Sequence, residues 1–167
     1  MEFLVDIDTL KEYSYIQSNV NTETLTITLK RVQDRYIEPA VGSSLYKRLL
    51  QGVKEDDLTA DELELMERVL NVIYVGCDIK SATHQNWKIR NKSVGTGNDE
   101  HVNANSLNES NNLIDELKKD LAIYKNKLIG YLKDNKSKFP LYKCSSNSED
   151  INPESKGNSY SDRISFL

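Results

Sequence analysis

Residues 59–77 read TADELELMERVLNVIYVGC, and this stretch decides the fold. Its first four residues form a capping box, in which the Thr59 hydroxyl and the Glu62 carboxylate can each pair with the other residue's free backbone amide. Apolar residues then recur every three or four positions, at Leu63, Met66, Leu70, Ile73 and Cys77. Because valines widen this stripe, the pattern predicts a helix that is apolar on most sides and that other helices pack around, ending near residues 82–85.

The composition indicates one modest domain with sizeable polar segments. The chain has 167 residues, of which 38% are apolar, and it contains 7 Gly and 3 Pro. Its net charge of −4 excludes a chain built as a whole to bind polyanions. Two distant cysteines, Cys77 and Cys144, cannot form a disulfide framework. No apolar run reaches the ~18–20 residues of a membrane span, so we expect a soluble intracellular protein without membrane partners.

The region before the central helix predicts a helix followed by an elbow. Asn21 or Thr22 can cap a helix whose apolar positions are Leu25, Leu29, Val32 and Tyr36. Pro39 is expected to push Glu38 out of the α region and end that helix. The pattern over residues 9–17 fits a short helix or an extended arm equally well.

The second half of the elbow is a short helix. Gly42 permits a turn, and Ser43 can cap a helix that carries apolar residues at positions 45, 46, 49 and 50. Gly52 is expected to end it. A helix–Pro–Gly–helix arrangement over residues 22–51 follows from this spacing.

A second capping box, at residues 106–109, opens the longest predicted helix, which extends to about residue 135. Its apolar positions are Ile114, Leu117, Leu121, Tyr124, Leu128 and Tyr131. Residues 91–105 are polar and rich in Gly and Asn, which predicts a projecting loop or weak hairpin. We therefore predict an all-α bundle over residues 1–142, followed by a flexible docking tail over residues 143–167.

No catalytic, cofactor-binding or metal-binding constellation emerges from the sequence. Gly95-Thr-Gly97 lacks the third glycine and the preceding strand of a dinucleotide fingerprint. The run from Asn98 to His101 offers oxygen and nitrogen ligands, but four adjacent polar residues do not have the spacing of a zinc site. Cys77 lies on an apolar stripe and is read as a small buried hydrophobe. We expect no enzyme activity and no cofactor.

The elbow carries a family resemblance. The run Tyr36-Ile-Glu-Pro-Ala-Val-Gly42, followed by Leu45-Tyr46 and Leu49-Leu50, resembles the N-terminal part of head–tail connector, or neck adaptor, proteins of tailed bacteriophages. The likeness is greatest to those of crAss-like and other Bacteroidales phages. It covers about residues 22–135 and is strong over residues 33–50. Val41 stands where that family has Leu.

The resemblance implies a structural virion protein. Such a subunit forms a ring, typically of twelve copies, at the neck between portal and tail, after assembly in the host cytoplasm. Its partners would be other copies of itself, the portal protein and other neck or tail proteins, with DNA only as passing cargo. A second hypothesis is a small regulatory or DNA-binding protein that uses residues 22–51 as a helix-turn-helix. A third, ranked last, is an enzyme with a metal in the loop at residues 99–101.

These interpretations identify two sets of residues. The first defines the elbow: Tyr36, Pro39, Gly42 and Tyr46. The second is expected to contact partners: Gly95, Gly97 and Asn98 in the projecting loop, and Ile164, Phe166 and Leu167 in the tail. Ile164 and Phe166 alternate as in a strand, so the tail could add to a neighbour's sheet edge while Leu167 fills a pocket.

Overall fold

Helices make up most of the computed structural model, which describes residues 2–16, 20–86, 88–90, 93–95 and 107–142. The predicted all-α fold is confirmed. The elements in chain order are α1 (Ile7–Tyr13), α2 (Thr22–Val32), a π-helical segment (Gln33–Ile37), α3 (Glu38–Val41), α4 (Ser43–Glu55), α5 (Ala60–Asn86), β1 (Lys88–Arg90), β2 (Ser93–Gly95) and α6 (Leu107–Asp134). The two short strands form an antiparallel hairpin with Ile89 opposite Val94.

The capping box at the start of α5 forms as predicted. The Thr59 amide donates to Glu62 Oε2 at 2.9 Å, and the Glu62 amide donates to Thr59 Oγ1 at 3.3 Å. The Arg48 guanidinium of α4 also binds both carboxylate oxygens of Glu62, at 2.9 and 3.0 Å. The N-terminus of α5 is thereby attached to α4 as well as capped.

Helix α5 is the centre of the core, although its buried face differs from the predicted stripe. Leu63 is 55% exposed and Leu70 is only half-buried. The buried residues of the helix include Leu65, Met66, Val69, Val72, Ile73 and Cys77. Because this helix carries apolar residues on most sides, periodicity alone does not decide which of them face inward.

The expectation that Pro39 ends the first helix of the elbow is wrong. Glu38 has α-helical angles (φ −53°, ψ −45°), and helical structure continues to Val41. Just before Pro39 the chain widens into the π segment, where the Glu38 amide bonds to the Gln33 carbonyl five residues earlier. A proline lacks an amide donor and its ring presses on the carbonyl four residues back. The widened turn lies where that regular bond would be disturbed.

Gly42 makes the turn of the elbow, as predicted, with a φ of 83° that favours glycine. Ser43 is not a cap, because Gly42 occupies the N-cap position and the Ser43 hydroxyl donates to Glu38 Oε1 at 2.8 Å. Gly52 does not end α4 either. It is buried within the helix, which continues to Glu55 and ends at Asp56 in a left-handed conformation.

Helix α6 packs along α5 and ends one residue before the predicted end. Leu117, Leu121, Leu128 and Leu132 are buried, and Tyr124 and Tyr131 are partly buried against the core. The turn that follows returns Phe139 to the core, where its ring lies 5.9 Å from that of Tyr131. The capping box predicted at residues 106–109 begins outside the described residues.

The N-terminal region, left open between helix and arm, contains the short helix α1. Asp6 caps it by accepting a hydrogen bond from the Thr9 amide at 2.8 Å. Leu4, Val5, Leu10 and Ile16 from this region are all buried. Residues 2–16 therefore contribute to the core instead of extending away from it.

The exposures on α5 give a direct test of the core. We expect Ile73→Ala to lower the free energy of unfolding by about 2–5 kcal/mol, because Ile73 is fully buried and the substitution leaves a cavity. Leu63→Ala, on the same helix, is the matched control and should change it by less than ~0.5 kcal/mol. Urea denaturation followed by circular dichroism measures both. Equal losses would show that the buried face has been misplaced.

Candidate interaction surfaces

The elbow is held by a buried side chain, Gln33, in the π segment. Its Nε2 donates to the Tyr46 hydroxyl at 2.9 Å, and its Oε1 accepts from the Leu4 amide at 2.9 Å. Gln33 is 1% exposed. One amide thus joins the N-terminal segment, the π segment and α4. Sequence reasoning missed Gln33, and the available signal was its position directly after Val32 on the apolar stripe.

The four elbow residues identified from the sequence have different surroundings. Tyr46 is buried and binds Gln33, whereas Gly42 makes the turn. Tyr36 is half-buried against Gly76 of α5, and Pro39 is exposed. The elbow residues therefore define the local fold and do not converge on a binding site.

The residues predicted to contact partners fall largely outside the described residues. Gly95 is the last residue of β2. Gly97, Asn98, Ile164, Phe166 and Leu167 are not among those described, and neither are most of the 91–105 loop and the 143–167 tail. Their role in contacts stays a prediction.

A groove, which we call the Asp78 groove, opens where three segments meet. Tyr15 and Ile16 follow α1, Asp78 and Ser81 lie on α5, and Leu113 and Leu117 lie on α6. Its volume is about 320 Å³, at the lower end of the range for ligand pockets. Tyr15 is 89% and Leu113 53% exposed. The groove is thus apolar, with an exposed apolar rim, and it contains one carboxylate.

That carboxylate is nearly enclosed. Asp78 is 6% exposed, and its Oδ1 accepts a hydrogen bond from the Tyr15 amide at 3.0 Å. Burial disfavours the charged form and raises the pKa of Asp78 to about 6, although the Tyr15 amide opposes this. No ion pair reaches Asp78 from the described part of the chain. At neutral pH the groove therefore contains a buried negative charge with a single amide donor.

Two further exposed apolar side chains, which together we call the end patch, lie toward the opposite end of α5 and α6 from the groove. They are Leu63, 55% exposed, and Leu141, 43% exposed. The Lys138 ammonium binds Asp61 Oδ1 at 2.7 Å and brings the chain after α6 to the start of α5. The molecule thus exposes apolar side chains at both ends of its two longest helices.

Three cations cluster on another face. Burial, followed by the charges of Arg35 and Arg31, lowers the pKa of Lys80. Val32 and Tyr36 pack against Gly76, one turn before Lys80, and this contact brings the two arginines near it. No salt bridge to these three residues is present within the described ranges. The cluster is a candidate contact for an anionic partner.

The described residues provide neither a metal-binding cluster nor a reactive thiol. These contain no group of three or more His, Cys, Asp or Glu side chains placed to hold a metal ion. Residues 99–101, the candidate metal loop, lie outside them. Cys77 is fully buried as predicted, and burial raises the pKa of its thiol to about 12. Among the helices described, none is long and apolar enough to span a membrane.

Comparison with known proteins yields one family match. The model of a family of unknown function, DUF6712, matches residues 37–152, which is more than half of the chain. No curated protein gives a significant match. No solved structure gives one either.

The Gln33–Tyr46 contact can be tested by removing one hydroxyl. We expect Tyr46→Phe to lower the free energy of unfolding by about 1–3 kcal/mol, because the buried Gln33 Nε2 then loses its partner. Tyr15→Phe is the control, since Tyr15 is largely exposed. Chemical denaturation of both variants measures the change in the free energy of unfolding. An unchanged Tyr46→Phe protein would contradict the proposed role of Gln33.

The raised pKa of Asp78 predicts a pH dependence of stability. The folded state retains the proton up to about pH 6, whereas the unfolded state loses it near pH 4, so the contribution of Asp78 to stability falls as the pH rises from about 4 to 6. Asp78→Asn keeps an oxygen that can accept from the Tyr15 amide and cannot ionise. We expect it to be more stable than wild type by about 1–2 kcal/mol at pH 7.

Thermal melts between pH 4 and 8 measure this difference. The gain from Asp78→Asn should shrink as the pH falls below 6 and be small at pH 4, where Asp78 is protonated in the folded state and about half protonated in the unfolded state. An exposed aspartate on α1, Asp8, provides the control substitution Asp8→Asn. A gain that is the same at every pH would be incompatible with titration of Asp78 in this range.

Proposed function

The chain belongs to the DUF6712 family, and from the surfaces of its described residues we propose that it is a structural subunit that assembles head to tail into a ring. The observation that carries this proposal is the pair of unlike apolar surfaces, the Asp78 groove and the end patch. They lie at opposite ends of the packed helices α5 and α6. Leu63 and Asp78 are about 22 Å apart along α5, at 1.5 Å per residue.

Two unlike surfaces on one subunit suit a closed ring. In a cyclic assembly of more than two copies, a patch on one subunit meets a different patch on the next. A symmetric dimer needs only one self-complementary patch. Tyr15 and Leu113 at one end, with Leu63 and Leu141 at the other, supply exposed apolar side chains for both halves of such a contact.

The position of this ring in a virion follows from the resemblance at the elbow. We propose the phage neck, between portal and tail, with about twelve copies surrounding the channel through which DNA passes. The elbow residues of that resemblance, from Tyr36 to Tyr46, build a rigid corner around Gln33 in this chain. The corner supports the proposal because it attaches the N-terminal segment, which supplies Tyr15 and Ile16 to the groove, to the helices.

A DNA-binding function is the second candidate, and the cluster of Arg31, Arg35 and Lys80 favours it. These three cations could contact phosphates. The helix-turn-helix version of this hypothesis has less support. Its second helix, α4, carries Arg48, whose guanidinium is bound to Asp57 and to Glu62. Only Lys47 of the two cations predicted there is left to face DNA.

A complementation experiment tests head-to-tail assembly. Leu113→Asp should disable the groove end and Leu63→Asp the other end, since both side chains are more than half exposed and neither change disturbs the core. We expect wild type to form multimers with rising concentration, and each variant alone to remain monomeric. An equimolar mixture should form dimers, because each variant retains the surface that the other has lost.

Light scattering after size-exclusion chromatography measures the masses. Ile27→Asp, 54% exposed on α2 and outside both surfaces, is the matched control and should assemble like wild type. Wild type that stays monomeric at the highest accessible concentration, or a mixture that stays monomeric, would contradict assembly through these surfaces. Absence of the protein from purified virions would contradict a place in the neck.

A further inference from the structure

We propose that the Asp78 groove is the docking site for residues 163–167 of this chain, with Arg163 on the Asp78 carboxylate and the apolar side chains of the segment on the groove walls. This inference goes beyond the ring proposal and does not depend on it. Where both hold, the segment occupies the groove around Asp78 and the exposed rim residue Leu113 contacts the end patch of the next subunit. It identifies the groove as the site for the segment that the sequence predicts to be a docking arm.

The groove requires an occupant with both apolar and cationic character. Its walls include Ile16 and Leu117, and its rim includes Tyr15 and Leu113. A purely apolar occupant would cover Asp78 and remove it further from water without supplying a counter-charge, which is costly. A guanidinium can donate to both oxygens of a carboxylate and neutralise it. An arginine beside apolar residues fits this combination.

Residues 163–167 have that character. They read Arg163-Ile-Ser-Phe-Leu167, so the cation immediately precedes the first apolar side chain. In an extended segment Arg163, Ser165 and Leu167 lie on one face and Ile164 and Phe166 on the other. A groove with two walls can therefore receive Arg163 at Asp78 on one side and the apolar pair on the other. The preceding residues 143–162 contain few apolar side chains, so they can serve as a tether.

The tether is long enough. Residues 143–162 can span up to about 66 Å when extended, at ~3.3 Å per residue. Tyr142 is the last described residue after α6, and Leu117 lies about 26 Å along that helix from its end at Asp134. The segment can therefore reach the groove of its own chain as well as that of a neighbouring copy.

Disulfide trapping in the full chain tests the docking. Ser81 lines the groove and Ser165 lies in the middle of the segment. The double variant Ser81→Cys with Ser165→Cys is made in a Cys144→Ser background. Cys77 can stay, because its burial and raised thiol pKa disfavour the reactive thiolate. The matched control replaces Ser81→Cys by Ser44→Cys, on the exposed surface of α4.

We expect at least ~fivefold faster disulfide formation for the 81–165 pair than for the 44–165 pair. Asp78→Asn, and separately Phe166→Asp, should each reduce this difference. A product of monomer mass places the segment in its own groove and one of dimer mass in a neighbour's, and both support the proposal. Equal rates for the two pairs would overturn the proposed docking. This result is expected if the connection between α5 and α6, and not the segment, fills the groove.

The outcomes separate this inference from the ring proposal. Equal rates in a protein that still passes the complementation test would remove the docking and leave head-to-tail assembly. Selective trapping in a protein that never multimerises would support the docking and contradict head-to-tail assembly. Ala82→Cys replaces Ser81→Cys if the latter lowers the thermal midpoint, because Ala82 lines the same groove.

Discussion

The arrangement of the helices depends on the buried amide of Gln33. Its two hydrogen bonds join positions 29 and 13 residues away along the chain. A side-chain amide that is removed from water must satisfy its donor and its acceptor together, and here a backbone amide and a phenol do so. The N-terminal segment, the π segment and α4 are therefore fixed by one group. Tyr46 and Gly42 matter because they bring α4 back to this point.

The π segment explains how Pro39 can lie inside a helical run. Widening the turn before Pro39 shifts the buried face by one residue, so that Ile37 is fully buried and Tyr36 is only half-buried. The regular spacing read from the sequence continued from Val32 to Tyr36. It could not reveal the extra residue, because proline statistics favour a helix end and say nothing about a widened turn. Gly76 then lets Val32 and Tyr36 approach α5 closely.

Features that depend on nearby residues were predicted well from the sequence, whereas contacts between distant segments were not. The capping box at Thr59 and the periodicity of α6 involve residues within a few turns, and both are found in the structure. The phase of α5 was wrong at Leu63 because burial there is decided by neighbours. The Asp78 groove combines residues near positions 15, 80 and 115, so no stretch of sequence contains it. The residues next to Asp78 in the sequence do not indicate its place in a groove, since its partner Tyr15 lies 63 residues away.

That separation has a consequence for how the protein is made. The Tyr15 amide can form its hydrogen bond only after Asp78 has left the ribosome. The Leu4 amide likewise bonds only once Gln33 has been synthesised. Contacts between distant residues carry a loop-closure entropy that local helix formation avoids. Residues 2–16 are therefore synthesised well before their partners and join the core late. Until then Leu4, Val5, Leu10 and Ile16 form an exposed apolar segment on the nascent chain, of the kind that chaperones bind.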